Sequence, residues 1–121
     1  MPWCVDSGAN RDICKEVALA KGRAIPKKLK IGEAGSGHSF TSEAVGPVSV
    51  QVDGKKFPFL TNTLFASNIH ENIFSVGEAV KSGTYGFVFN SKGVHLCPDE
   101  NISFSAPLMS GTRDSKSGLF Y

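Results

Sequence analysis

The stretch VSVQV-DG-KKF, at positions 48–57, constrains this chain more than any other. Its apolar residues alternate with polar ones, which is the period of a strand and not of a helix. Asp53-Gly54 follows, and that dipeptide is the strongest short hairpin signal in the chain. KKFPFLTNTLF, at 55–65, reads as the partner strand. Pro58 removes one ladder donor, so this strand is expected on an edge or with a bulge at that point.

The rest of the chain repeats the message. Val, Ile, Phe and Thr recur in short runs, broken by 13 glycines and 6 prolines. Trp3-Cys4-Val5 reads as a first strand and Asp12-Ile13-Cys14 as a second short piece. Residues 15–25 allow a helical turn that Gly22 ends and Pro26 blocks from continuing. Leu29 and Ile31 alternate with lysines in a half-exposed strand. EAGSG, at 33–37, supplies a hairpin tip, and residues 38–46 return as its second arm. Near residue 75 the period changes. Ser75 is a candidate N-cap, Glu78 stands where a capping box needs an acid, and Gly83 is the stop, so SVGEAVKSG predicts one short helix. TYGFVFN, VHLC and ISFS read as three more strands, and residues 110–121 as polar loop until Leu119-Phe120-Tyr121. The expected fold class is all-β, a single barrel or sandwich with one short helix. A length of 121 residues fits one domain.

Charge and cysteine use narrow the function classes. A net charge of +2 is too mild to point to nucleic acid. Lys27, Lys28, Lys30, Lys55 and Lys56 are the basic cluster, and lysines beside strands are ordinary edge protection. The aromatics sit in core-like alternation rather than on a stacking face, so direct nucleic-acid binding is not expected. Cys4, Cys14 and Cys97 lack the spacing of a zinc site, and neither metal nor cofactor is expected. They read as buried, reduced thiols. No apolar stretch approaches the length of a membrane span, so no membrane role is expected.

One motif stands outside this structural inventory. WCVDSGAN places Asp6 at a strand end, and NIFSVGEAV, whose apolar run breaks at small residues into a helix, follows far downstream. Taken alone, Asp-Ser-Gly is a common turn composition. The two stretches together, with the aromatic strand TYGFVF, resemble the protease of copia-type LTR retrotransposons, a branch of the retropepsin-like aspartic proteases. The resemblance covers most of residues 3–90. SGLFY at the end resembles the opening of the pre-integrase region, which implies that the chain is a segment of a longer polyprotein.

The resemblance implies a fold and a set of site residues. The fold is one retropepsin-like barrel lobe over residues 1–97. The catalytic acid is Asp6, with Ser7 and Gly8 supporting the active-site loop. Gly8, Ala9, Asn10 and Ile73 would line the substrate site. A glycine-rich flap would run from Lys30 to Gly46, with Gly35, Ser36 and Gly37 at its tip. Ile73-Phe74-Ser75 would support the catalytic loop and Val76 to Ser82 would form the helix. The implied activity is aspartic endopeptidase cleavage of the element's own Gag-Pol polyprotein, in a cytoplasmic virus-like particle, without a cofactor.

The chemistry of that class needs two carboxylates about one water. Held that close, they cannot both ionise, so they share a proton. One then acts as general base on the water and the other as general acid on the scissile carbonyl. Only one Asp-Ser-Gly is present, so the second carboxylate is expected from Asp6 of another copy, across a homodimer axis. Asp53, Asp99 and Asp114 are the weaker intramolecular candidates. Asn10 and Val76 stand where retroviral members carry an acid and an arginine, so that ion pair is absent, with Arg11 and Asp12 as local substitutes. Ser75 stands where most retropepsins have glycine. Five residues precede Asp6, fewer than retropepsins use for their first strands. The expectation is therefore that residues 91–121 supply missing strands and interface, with 98–121 an extension that completes the sheet or dimer surface. The competing reading is a retroelement-derived domain of the same fold that binds or scaffolds without catalysis.

Overall fold

A computed structural model describes residues 3–32, 39–52, 54–57 and 60–121. The chain is all-β with one short helix. It divides into two compact units, one of residues 1–5 with 11–74 and one of residues 6–10 with 75–121. The residue 97 boundary expected from sequence falls inside the second unit.

The first unit is built on strands β1 (Trp3–Asp6), β2 (Ile13–Cys14), β3 (Ile25–Pro26), β4 (Lys30–Gly32), β5 (Ser39–Thr41), β6 (Ala44–Gly46), β7 (Val50–Val52), β8 (Lys55–Phe57), β9 (Thr63–Phe65) and β10 (Asn72–Ser75). Asp6 and Ser75, the last residues of β1 and β10, group with the second unit. Six strands form one sheet in the order β1-β10-β2-β9-β6-β3. β2 runs parallel to β9, with Ile13 opposite Leu64, and antiparallel to β10, with Ile13 opposite Ile73. Ile13, Ala66 and Ile69 form a buried cluster, against which Ile31, Phe40 and Ile73 pack. The VSVQV-DG-KKF hairpin forms as expected, Val50 pairing Phe57 and Val52 pairing Lys55, with Gly54 at φ +79°.

Two expectations for this part of the chain are revised, and the helical turn expected within 15–25 is present. Residues 55–65 are not one strand. β8 ends at Phe57, Pro58 lies outside the described residues, Leu60 adopts φ +59°, and β9 pairs with β6 and β2. The Thr63 hydroxyl donates to the Leu60 carbonyl at 2.9 Å and holds that bend. Residues 38–46 are not one arm either: β5 returns against β4, while β6 joins the large sheet. Buried Ser42 separates them, its hydroxyl donating to the Lys27 carbonyl at 2.6 Å and accepting from the Leu29 amide at 2.9 Å. The helical turn is a 3-10 turn at Val17–Ala20, with Lys21 and Gly22 at positive φ.

Two further side chains close this unit. Asn72 is almost fully buried, and its Oδ1 accepts from the Lys15 amide at 2.9 Å. An Arg11 guanidinium nitrogen donates to the Asn62 carbonyl at 3.1 Å. Arg11 therefore braces the loop before β9.

The second unit holds helix α1 (Val76–Val80) and strands β11 (Tyr85–Asn90) and β12 (Gly93–Pro98). α1 starts as its sequence predicts. Ser75 is the N-cap and its Oγ accepts from the Glu78 amide at 3.1 Å. Lys81 pairs with Glu78 at 3.1 Å, and Gly83, at φ +79°, follows the helix end. β11 and β12 make a hairpin from Tyr85 opposite Pro98 to Asn90 opposite Gly93. β12 pairs with β11 alone, and among the described residues no strand from 91–121 enters the six-stranded sheet.

ISFS is not a strand. A 3-10 turn at Asp99–Asn101 closes with the Ile102 amide on the Asp99 carbonyl, and residues 102–105 meet no ladder partner among the described residues. Conversely, residues 112–121 are a hairpin rather than a loop. Thr112 and Tyr121 exchange amide and carbonyl bonds at 2.8 and 2.9 Å, and the Asp114 amide donates to the Leu119 carbonyl at 2.8 Å. The Ser117 amide bonds the Asp114 carboxylate at 2.9 Å and holds that carboxyl below its ordinary pKa.

Candidate functional site

The Asp-Ser-Gly motif leaves β1 as a tight turn. The Asp6 carboxylate is half-buried, and its Oδ1 accepts from the Gly8 amide at 2.7 Å. That bond spans two residues and fixes the side chain against its own backbone. Among the described residues no other hydrogen bond to the Asp6 carboxylate is made, so Oδ2 is open. Gly8 has a steric reason to be glycine: a Cβ there would stand 3.3 Å from Asp6 Oδ1. Ser7, Gly8 and Asn10 are exposed, and Ala9 is half-buried.

Ser75 anchors the far side of this turn. Its Oγ donates to the Ala9 carbonyl at 2.6 Å while it accepts from the Glu78 amide. One fully buried hydroxyl thus caps α1 and ties the Asp6–Asn10 loop to it. Sequence reasoning found the cap, from Ser75 and Glu78, but not the loop contact. The signal available was the serine itself, whose hydroxyl can donate one hydrogen bond while it accepts another. Ser75→Ala is expected to destabilise the fold by about 1–3 kcal/mol. It should also raise amide exchange at Gly8 and Glu78 together. Urea denaturation and hydrogen exchange would check this, and exchange confined to Glu78 would show a cap without a loop anchor.

A mostly apolar pocket of about 340 Å³ opens beside the same turn. Val76 and Val80 of α1 form one wall, and Tyr85, Phe87 and Phe89 of β11 another. The Phe87 and Phe89 rings lie 6.1 Å apart. Ser7, the neighbour of Asp6, and Asp99 bring polar atoms to it, and Phe120 of the terminal hairpin completes it.

The structure therefore groups Asp6, Ser7, Gly8, Ala9 and Asn10 with Ser75. Ile73 is described with the first unit, where it packs on the core cluster opposite Ile13. Gly35, Ser36 and Gly37 lie outside the described residues, although β4 and β5, on either side of them, form an antiparallel pair. Asp99 and Asp114 are exposed, and Asp114 is committed to its own turn. Asp12 is buried. Burial pushes the Cys14 thiol above its ordinary pKa and keeps it in the unreactive form. Among the described residues no three His, Cys, Asp or Glu side chains converge as metal ligands would, and no helix is long and apolar enough to cross a membrane.

Comparison with known proteins places this arrangement. No curated protein and no solved structure matches the chain. The family model of the Pol polyprotein β-barrel domain does, over residues 3–84, which takes in the Asp-Ser-Gly turn, the six-stranded sheet and α1. A strand-rich chain with one short helix, matched over more than half its length from β1 past α1, belongs to the Pol polyprotein β-barrel domain family and is a retroelement Pol region.

Proposed function

We propose that this Pol region is an aspartic endopeptidase of the copia type, cutting its own Gag-Pol polyprotein within the element's cytoplasmic particle. The observation that carries the reading is the Asp6 turn. A carboxylate is fixed through one oxygen by the Gly8 amide, its other oxygen is left open, and Ser75 braces the loop from behind. That is the ground state a shared-proton dyad needs. The residue is oriented in advance, and the reactive oxygen is not spent on the fold.

Each chain supplies one such carboxylate, so the mechanism takes Asp6 from two copies. With one proton between them, the ionised Asp6 accepts a proton from the bound water. The protonated Asp6 donates to the scissile carbonyl oxygen. The pair titrates as a unit. Ser7 and Gly8 hold the loop, and Gly8, Ala9 and Asn10 meet the substrate.

The test is hydrolysis of polyprotein-junction peptides across a range of chain concentrations. The rate per chain is expected to fall on dilution, as dimers separate. A rate strictly proportional to concentration, from a chain whose sedimentation shows a monomer, would sink the two-copy mechanism. A second reading has one observation in its favour: the matching family is described by its barrel and not by a reaction. On that reading the domain binds or scaffolds within the polyprotein, and the same assay gives no hydrolysis at any concentration.

A further inference from the structure

Four aromatic residues converge on the pocket of the second unit: Tyr85, Phe87 and Phe89 from β11, and Phe120 from the terminal hairpin. Strand geometry gathers the first three, because residues 85, 87 and 89 alternate onto one face of β11. The Phe87 and Phe89 rings stack at 6.1 Å with 30° between their planes. Phe89 and Phe120 are 54% and 44% exposed, so a ligand can reach both rings from solvent.

One acid lines this aromatic site. Asp99 is held in the 3-10 turn by its own backbone. Its amide donates to the Thr84 carbonyl at 2.9 Å, and its carbonyl accepts from the Ile102 amide at 3.0 Å. Asp99 Oδ1 lies beside Gly86, another lining residue, 3.3 Å from where a Cβ there would stand. Among the described residues the Asp99 carboxylate pairs with no cation and accepts no hydrogen bond. Of this unit's own cations, Lys81 is paired with Glu78 and Arg113 with the Gly77 carbonyl.

This combination discriminates between ligand classes. An anion is repelled by Asp99. A neutral apolar ligand strips water from the carboxylate and returns no hydrogen bond. A cation on an apolar stem meets both demands, because aromatic faces attract positive charge and Asp99 neutralises it. Among natural side chains a guanidinium fits best. It is planar, weakly hydrated, stacks on rings and offers a carboxylate two parallel N–H donors. Its methylene stem has Val76 and Val80 to lie along. A volume of about 340 Å³ is at the small end for ligand pockets and suits one side chain.

We propose that this pocket is a binding site for an arginine side chain presented by a peptide segment of another protein. The site binds and does no chemistry. The inference is independent of the endopeptidase reading, since it uses neither the Asp6 carboxylate nor a second copy of the chain.

The experiment titrates the full chain with Nα-acetyl-arginine methylamide and follows amide and aromatic resonances by NMR. The expected result is saturable shifts at Ser7, Val80, Phe89 and Phe120, with a millimolar dissociation constant. Asp99→Asn should weaken binding about threefold or more, and Phe89→Leu, which keeps an apolar side chain but removes the ring, by about threefold. The citrulline counterpart keeps the shape, loses the charge and forgoes both attractions, so it should bind at least about tenfold more weakly. The lysine counterpart should be weaker by about threefold, because an ammonium is more strongly hydrated and does not stack. The wild-type titrations decide the matter even where a variant fails to fold. Citrulline or lysine binding as tightly as arginine, shifts that lie outside the pocket, or unchanged affinity in a folded Asp99→Asn chain would each overturn the proposal. Hydrolysis of junction peptides is read separately, and none of these outcomes bears on it.

Discussion

Asp6→Asn is expected to lower kcat/KM on a junction peptide by about 10²–10⁴-fold while leaving the fold intact. The change is nearly isosteric. An asparagine Oδ1 still accepts from the Gly8 amide, so the 2.7 Å bond that shapes the turn is preserved. An amide, however, neither takes a proton from water nor carries one to a carbonyl. A second measurement separates the dyad from a single essential acid. Wild type titrated with excess Asp6→Asn chain forms mixed pairs that hold one carboxylate each, and its activity should fall as they form. Activity within about tenfold of wild type for the pure variant would remove Asp6 from the chemistry.

That test rests on a residue visible in the sequence, and local signals explain what else was visible. Alternation and Asp53-Gly54 marked the β7–β8 hairpin because both depend only on neighbours. Ser75 and Glu78 marked the start of α1 for the same reason. The parallel pairing of β2 with β9, and the split of residues 38–46 between two sheets, depend on distant partners that no local pattern encodes. Leu60 shows the limit sharply. Its left-handed φ breaks an apparently continuous strand, and the preference of a leucine runs against it. Within the site, Asp6, Ser7 and Gly8 were legible as a motif. The Ser75 bond to Ala9 was not, because one serine side chain serves two elements and composition announces only the cap.

The same reasoning isolates the second large effect. Gly77→Val is expected to destabilise the second unit by about 3 kcal/mol, the upper part of the overpacking range, and to release the terminal hairpin. Gly77 lies in the first turn of α1, where another residue would ordinarily be an improvement, since glycine weakens helices. Here the backbone of Gly118 is packed directly against it. A Cβ on Gly77 would overlap the Gly118 carbonyl oxygen, and backbone has less freedom to give way than a side chain. Gly118 cannot simply move, because it sits at φ +75° inside the hairpin and its amide bonds the Asp114 carbonyl at 2.8 Å. Displacing it also breaks the Arg113 bond to the Gly77 carbonyl at 3.2 Å, leaving a partly buried guanidinium without that acceptor. Urea denaturation should show the loss of stability, and amide exchange at Thr112, Asp114 and Tyr121 should rise together. Gly32→Val is the control, since open space surrounds that position and a strand tolerates valine. It should stay within about 0.5 kcal/mol of wild type. Equal losses at the two positions would mean that the hairpin is not held by its contact with α1.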